Sequence, residues 1–454
     1  MNEVVLDILG QQSLEIFTQI CFCYSMGEDG ESKDEILETL RKGLERLTEG
    51  FPWVAGQVVN EKREMGDATC VFKIKTLERI PRLIVKDVSD QGSIPSMEEL
   101  RRASFPMRML DESFVAPRST VPGIFSESSD VPVFILQATF IKNGLLLTFL
   151  GQHQVMDGTG QAHVISLLSK ACRGEQFTRE ELETGNIDRE GIIPLLTEEE
   201  NTNLGDLHQR LAHQIILNPS SSSNPEPPQC TWTCFNFSSS SLNKLKSLAS
   251  KDLLSSTSYI TTDDALTAFV WQSVSRIRLS RLSPNKNTTL ARAVNVRPYL
   301  NVPSTYPGMV QNMTYNDFTI SQLTTIPLGI IASQLRSNFD PKISTLNQDT
   351  RALATLLDNT KNKSITSFTA TLDFSSDIAL SSWVKQNSYS LDFGIGLYNP
   401  ESVRRPQFTP VESLMYLLPK TPNGDVALAI CLRDTDMSLL KSDEQFIKYA
   451  THIT

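Results

Sequence analysis

Histidine is scarce in this chain and long apolar runs are missing. There are five histidines in 454 residues. Nowhere do 18 apolar residues follow one another, which excludes a membrane-spanning helix of ordinary length. The seven cysteines are odd in number and irregularly spaced. Cys21 and Cys23 would share one face of a strand, and Cys230 and Cys234 have no second ligand pair. Neither a disulfide framework nor a zinc site is therefore expected, and a reducing compartment is favoured. No Lys/Arg block occurs and the net charge is −10, so neither nucleic acid nor a membrane surface is an expected partner. The first residues, MNEVVLDILGQQ, have an early acid and no apolar core of signal length, so the expected address is cytoplasmic. The Gly-x-Ser-x-Gly elbow of serine hydrolases is also missing.

What is present is a soluble globular composition, 40 % hydrophobic and 21 % charged, in a chain long enough for two cores of roughly 200 residues each. Segment 12–26 contains an Ile-, Phe- and Cys-rich run that reads as a strand. Ile36, Leu37, Leu40, Leu44 and Leu47 stand at helical spacing and Gly50 closes that helix. Residues 131–141 and 145–150 flank Lys142-Asn143-Gly144, a β-hairpin signal. A helix follows over 161–174. Segment 218–229, NPSSSSNPEPPQ, has four prolines, four serines and no apolar residue, the composition of a linker. The expected organisation is two mixed α/β domains, 1–217 and 230–454, joined by 218–229. In the second, 258–282 reads as a helix capped by Thr261 or Thr262, with Asp263 and Asp264 in its first turn and arginines in its last.

One of the five histidines lies in 151-GQHQVMDGTG-160, directly after the apolar tract 144-GLLLTFL-150. His153 therefore falls in a strand-to-helix turn, where a rigid scaffold can present a side chain to a cleft. Imidazole accepts a proton near neutrality. Asp157 can orient it, or can hold the turn by pairing with a distant arginine. Gly158 and Gly160 let backbone pass close by. His-x-x-x-Asp alone is equally a capped loop with a hydrogen-bonded histidine.

The stretch resembles the His-x-x-x-Asp-Gly motif of the BAHD-type acyl-CoA-dependent acyltransferases. Their second signature, usually Asp-Phe-Gly-Trp-Gly, stands here as 392-DFGIG-396 with Ile395 in the Trp position. Between and around them, in family order, come PWVAGQV (52–58), TDDALTAFVW (262–271), RAVNVRP (292–298), YPGMVQN (306–312) and LSSWVK (380–385). The chain is similar to the fungal trichothecene 3-O-acetyltransferases, almost end to end, with departures at Gln154, Val155, Gly158 and Thr159.

The resemblance implies two chloramphenicol-acetyltransferase-like domains with a tunnel at their interface. Acetyl-CoA enters as co-substrate and an alcohol as acceptor, with no metal, in a monomer. It implies His153 as general base, with Asp157 pointing away and paired to Arg297. Ser381 is the implied oxyanion donor and Trp383 the tunnel wall. Asp392, Gly394 and Gly396 form a structural turn, with Asp392 in a buried ion pair. Lys244 and Lys246 are implied at the CoA phosphates. His163, His208, His213 and His452 read as structural or surface. The acceptor is trichothecene-like or another polycyclic terpenoid; an indole-alkaloid alcohol, a longer acyl-CoA, or a degenerate ligand-binding homologue are alternatives. Condensation domains of peptide synthetases share the core motif but usually carry His-His, where this chain has Gln152.

Overall fold

The computed structural model describes residues 3–12, 14–27, 32–61, 71–123, 129–200, 204–216 and 228–454. The expected linker lies, over 218–227, outside the described residues, as does Cys70. The strands of the N-terminal half are β1 (Val4–Val5), β2 (Phe17–Ser25), β3 (Gly56–Asn60), β4 (Phe72–Thr76), β5 (Arg82–Asp87), β6 (Phe134–Ile141) and β7 (Gly144–Gln152). Those of the C-terminal half are β8 (Cys230–Phe237), β9 (Asn287–Asn295), β10 (Gln311–Thr319), β11 (Ile378–Ser382), β12 (Ser402–Arg404), β13 (Leu414–Leu417), β14 (Val426–Arg433) and β15 (Thr451–Ile453).

They form a mixed α/β molecule with two large sheets. One has the order β12-β2-β7-β6-β5, the other β10-β9-β11-β13-β14-β8-β15, and β1-β4-β3 make a small third sheet. The hairpin β6–β7 pairs Ile141 with Gly144 across Lys142 and Asn143. Asn143 takes the positive φ of 58° that this turn needs.

All nine residues of β7 are buried, because both faces of the sheet are covered. Leu145, Leu147 and Phe149 pack toward the helices Lys33–Gly50 and Gly158–Cys172, while Leu146 packs with Met97 and Leu100 on the other side. This is period-two alternation with apolar residues on both faces. The helix Lys33–Gly50 starts in a capping box made by Ser32 and Glu35. Its Gly43 lies against the second helix; a Cβ there would sit 2.2 Å from Cys172 Sγ.

The larger sheet is covered by the helices Ser239–Ala249, Thr262–Arg278 and Leu328–Ser337. Thr261 caps Thr262–Arg278, in a capping box with Asp264.

The two halves are interwoven. β12 comes from the C-terminal half but pairs antiparallel with β2, with Val403 opposite Phe22. Just before it, Phe393 is fully buried and stacks on Phe149 at 5.4 Å. Burying that one ring contributes about 1.5–3 kcal/mol to the junction. The 392–396 motif is thus a packing element far along the chain from the strand it covers. Gly394 and Gly396 take φ of 63° and 73°, a conformation that strains residues with a Cβ. Asp392 differs from expectation. It forms no ion pair among the described residues; its carboxylate accepts from Gly394 N at 2.8 Å. Arg173 and Ser169 instead meet its backbone carbonyl, so a local turn, not charge pairing, uses the acid. Among the described residues no helix is long and apolar enough to cross a membrane.

Candidate active site

β7 delivers His153 at its C-terminal end, and backbone bonds fix the turn that follows. His153 N donates to Ile16 O at 2.9 Å, and Val155 N to Gln152 O at 3.0 Å. Gln154 points into the scaffold, where its amide donates to Gly10 O and Gln12 O. Val155 is fully buried. Asp157 then caps the helix Gly158–Cys172 by accepting from Thr159 N at 2.9 Å and Gly160 N at 2.8 Å.

The second oxygen of Asp157 faces the other half of the molecule. Oδ2 accepts from Arg297 Nη1 at 2.8 Å and from Val310 N at 2.8 Å. Arg297 is fully buried. It also donates to Tyr306 O, Asn295 Oδ1 and Gly308 O. All four acceptor directions of Asp157 are therefore filled by cap, loop and guanidinium. The carboxylate is built into the structure, each oxygen accepting two hydrogen bonds. Gly160 allows the approach of the 306–310 loop, since a Cβ there would lie 2.3 Å from Pro307 O.

His153 is half-buried. Its Nδ1 is sealed from solvent and makes no hydrogen bond of normal geometry. Burial lowers its pKa from the usual imidazole value; the Arg405 charge acts in the same sense, while its own carbonyl and Asp157 oppose. The shift favours the neutral ring, the form that accepts a proton. Arg405 is itself 2 % exposed. It donates to Gln19 O at 3.2 Å and lies over the rings of Phe408 at 4.4 Å and Tyr416 at 4.7 Å.

Two cavities abut the ends of this turn. One of about 520 Å³ is walled by Asp157, Gly158, Arg292, Gln311, Ser381 and Trp383 among others. Another of about 640 Å³ reaches Gln154 and includes Gln57, Asn60, Phe72 and Asp130. Ser381 stands at the end of β11, where its Oγ accepts from Trp383 Nε1 at 3.1 Å. Trp383 is 4 % exposed and packs on Gly158. Gln386 staples the same turn to the helix start by donating to Gly158 O at 3.0 Å.

The remaining sequence candidates are placed elsewhere. Lys244 and Lys246 are exposed on the helix Ser239–Ala249 and do not line the 520 Å³ cavity. Lys385 does line it, is exposed, and forms no ion pair among the described residues. His163, read as structural or surface, also lines this cavity with its Nε2 buried and unpartnered. Its position one turn into the helix gave no signal in sequence. Arg405, in a run of two arginines, and Asp7, near the start of the chain, were likewise missed. Nothing in linear spacing says which charges a fold will bury. Among the described residues no group of His, Cys, Asp and Glu could hold a metal ion.

Comparison with known proteins places this architecture of two sheet-rich halves among the acyltransferases. Residues 113–447 match the model of the Transferase family, and 16–172 that of the trichothecene 3-O-acetyltransferase-like N-terminal domain. The chain belongs to this family and is an acyl-CoA-dependent O-acyltransferase. It is 50 % identical to the O-acetyltransferase dmxR13 of Cryptosporiopsis sp. (strain 8999), covering 99 % of this chain and 97 % of that protein. It is 47 % identical to the trichothecene 3-O-acetyltransferase TRI101 of Fusarium sporotrichioides, with 99 % and 97 % covered. The crystal structure of F. sporotrichioides TRI101 complexed with coenzyme A and T-2 superposes with a TM-score of 0.90, 45 % identity, and 99 % and 100 % coverage.

Proposed function

We propose that this protein moves the acetyl group of acetyl-CoA onto a hydroxyl of a fungal secondary metabolite, trichothecene-like or another polycyclic terpenoid, with His153 as general base. The observation that carries the reading is the turn after His153, fixed by Asp157 and Arg297, with one cavity reaching it at Asp157 and another at Gln154, the residue next to the imidazole. Acetyl-CoA occupies the 520 Å³ cavity, and the alcohol approaches from the side of Gln154. His153 Nε2 takes the hydroxyl proton as the oxygen attacks the thioester carbonyl. The tetrahedral intermediate collapses and expels the thiolate, which recovers the proton from the imidazolium. No covalent enzyme intermediate and no metal is required.

Ser381 is suited to the oxyanion. Trp383 donates to its Oγ, which leaves the Ser381 O–H free to donate into the cavity. Asp157 and Arg297 fix the turn without touching substrate. Lys385, exposed in the wall of the 520 Å³ cavity, supplies positive charge for the CoA phosphates, and Lys244 and Lys246, outside that wall, act only on the part of CoA that extends beyond the cavity. The names of the relatives favour acetyl as the group moved. Of two relatives of similar identity, one is named for trichothecene and the other only as an O-acetyltransferase, so support for a trichothecene-like acceptor comes from the first alone.

His153→Ala tests the mechanism. General-base help is worth about 100- to 10,000-fold. We expect kcat to fall within that range, with CoA affinity by calorimetry and melting temperature near wild type. Wild-type turnover in the folded variant would refute the base.

A further inference from the structure

The catalytic turn is gripped a second time, from the far end of the N-terminal half. Arg189 is 3 % exposed and lies over the Trp53 ring at 4.7 Å. Its Nη1 donates to Val155 O at 2.7 Å, inside the turn that follows His153, and to Asp7 Oδ2 at 3.0 Å. Asp7 is 1 % exposed. Its carboxylate also accepts from Tyr306 O–H, and from Met309 N at 3.0 Å. Met309 precedes Val310, whose amide is held by Asp157. Two buried carboxylates, 150 positions apart by their numbers, thus hold two successive amides of one loop.

The arrangement has a geometric purpose. Asp157 fixes the end of the turn that begins the helix. Nothing in that pair fixes the middle. Arg189 does so by holding the Val155 carbonyl, and Asp7 sets the guanidinium by tying it to the same 306–310 loop. The second nitrogen of the fork, Nη2, is buried without a partner. A fork left half-satisfied in this way is placed by its charge pair and by the carbonyl it reaches, not by a full set of its own bonds. The N-terminal segment is wedged against the turn as well: a Cβ on Gly10 would lie 2.2 Å from Gln154 O.

Resting on the reading of His153 as base, we propose that Arg189, aligned by Asp7, is a positioning residue that sets the His153 turn for proton abstraction. It touches no substrate. Its removal lets the middle of the turn relax, and a shift of about 1 Å in a reacting group costs roughly 100-fold in rate.

The test separates position from stability. Arg189→Met leaves the Asp7 charge buried and unpaired, and Asp7→Asn does the same to Arg189; both should lower melting temperature and kcat. The double variant Asp7→Asn/Arg189→Met removes both charges, and stability then recovers. If Arg189 positions the turn, kcat of the double variant stays down by about 10- to 100-fold while the Kd for CoA remains within about threefold of wild type. Arg189→Lys, which retains a charge for Asp7 but loses the fork, should keep most of the stability and little of the rate. Recovery of kcat in step with melting temperature in the double variant would overturn the proposal and make the pair a stabilising contact only. Failure of the base itself reads out separately, as turnover surviving in His153→Ala.

Discussion

Replacing Asp157 by Asn changes one atom and should break one side of the site. The Asn oxygen can still accept from Thr159 N and Gly160 N, now at 2.9 and 2.8 Å, because Asn is as good an N-cap as Asp. Its amide must then face Arg297 Nη1 and Val310 N, each at 2.8 Å, and both are donors. Arg297 is left as a buried charge without a carboxylate. Breaking a buried pair in this way costs about 3–5 kcal/mol. Arg297 keeps three other acceptors, Tyr306 O, Asn295 Oδ1 and Gly308 O, so the low end, about 3 kcal/mol, applies. Against a total stability of about 5–15 kcal/mol the variant folds but melts several degrees lower. The released loop and turn also reduce turnover. The assay is thermal unfolding by circular dichroism beside kcat on the same folded preparation at a temperature well below the transition. An Asp157→Asn enzyme with native melting temperature and abolished turnover would refute the structural assignment and give Asp157 a direct part in the chemistry. Adding Arg297→Met to Asp157→Asn should restore much of the lost stability.

Turnover should fall on acidification as His153 takes up a proton and ceases to be a base. Because burial and Arg405 hold its pKa below the usual 6.5, the midpoint of the kcat profile should lie below about 6.5, and Arg405→Gln should move it upward; a flat profile would count against His153. Gly160→Ala places a Cβ 2.3 Å from Pro307 O, a backbone collision expected to cost about 1–3 kcal/mol; unchanged melting and turnover would show that the loop yields freely. Lys244→Ala/Lys246→Ala should weaken CoA severalfold with little change in kcat, and the difference should shrink in high salt; unchanged affinity at low salt would remove both from the phosphate site.

Much of the scaffold was legible because it rests on local rules. The hairpin followed from Asn143 between two apolar runs. The helix Lys33–Gly50 followed from its apolar spacing, and the helix at Thr262–Arg278 from Thr261 and the two aspartates. The His153 turn was legible as a strand end before glycines. Other features were not. The sequence reading began the helix after His153 at 161, whereas it starts at Gly158, because Asp157 caps it. The ion pair that the family resemblance implies for Asp392 does not form among the described residues; its carboxylate closes a local turn. Arg405, Asp7 and Arg189 gave no local signal, since burial of an arginine is decided by what the rest of the chain places around it.

The sequence by itself determined where the hairpin, the best-patterned helices and the His153 turn fall, because hydrogen-bonding periodicity, capping and glycine preference act over a few residues. It also determined which residues can exchange a proton or carry charge. Only the tertiary structure decided that β12 would complete a sheet begun by β2, that Phe393 would seal it, and that Asp7 and Asp157 would hold neighbouring amides of one distant loop. These pairings join residues far apart in the chain. They form where burial leaves a charge or a backbone group no partner in water and only one within reach in the fold.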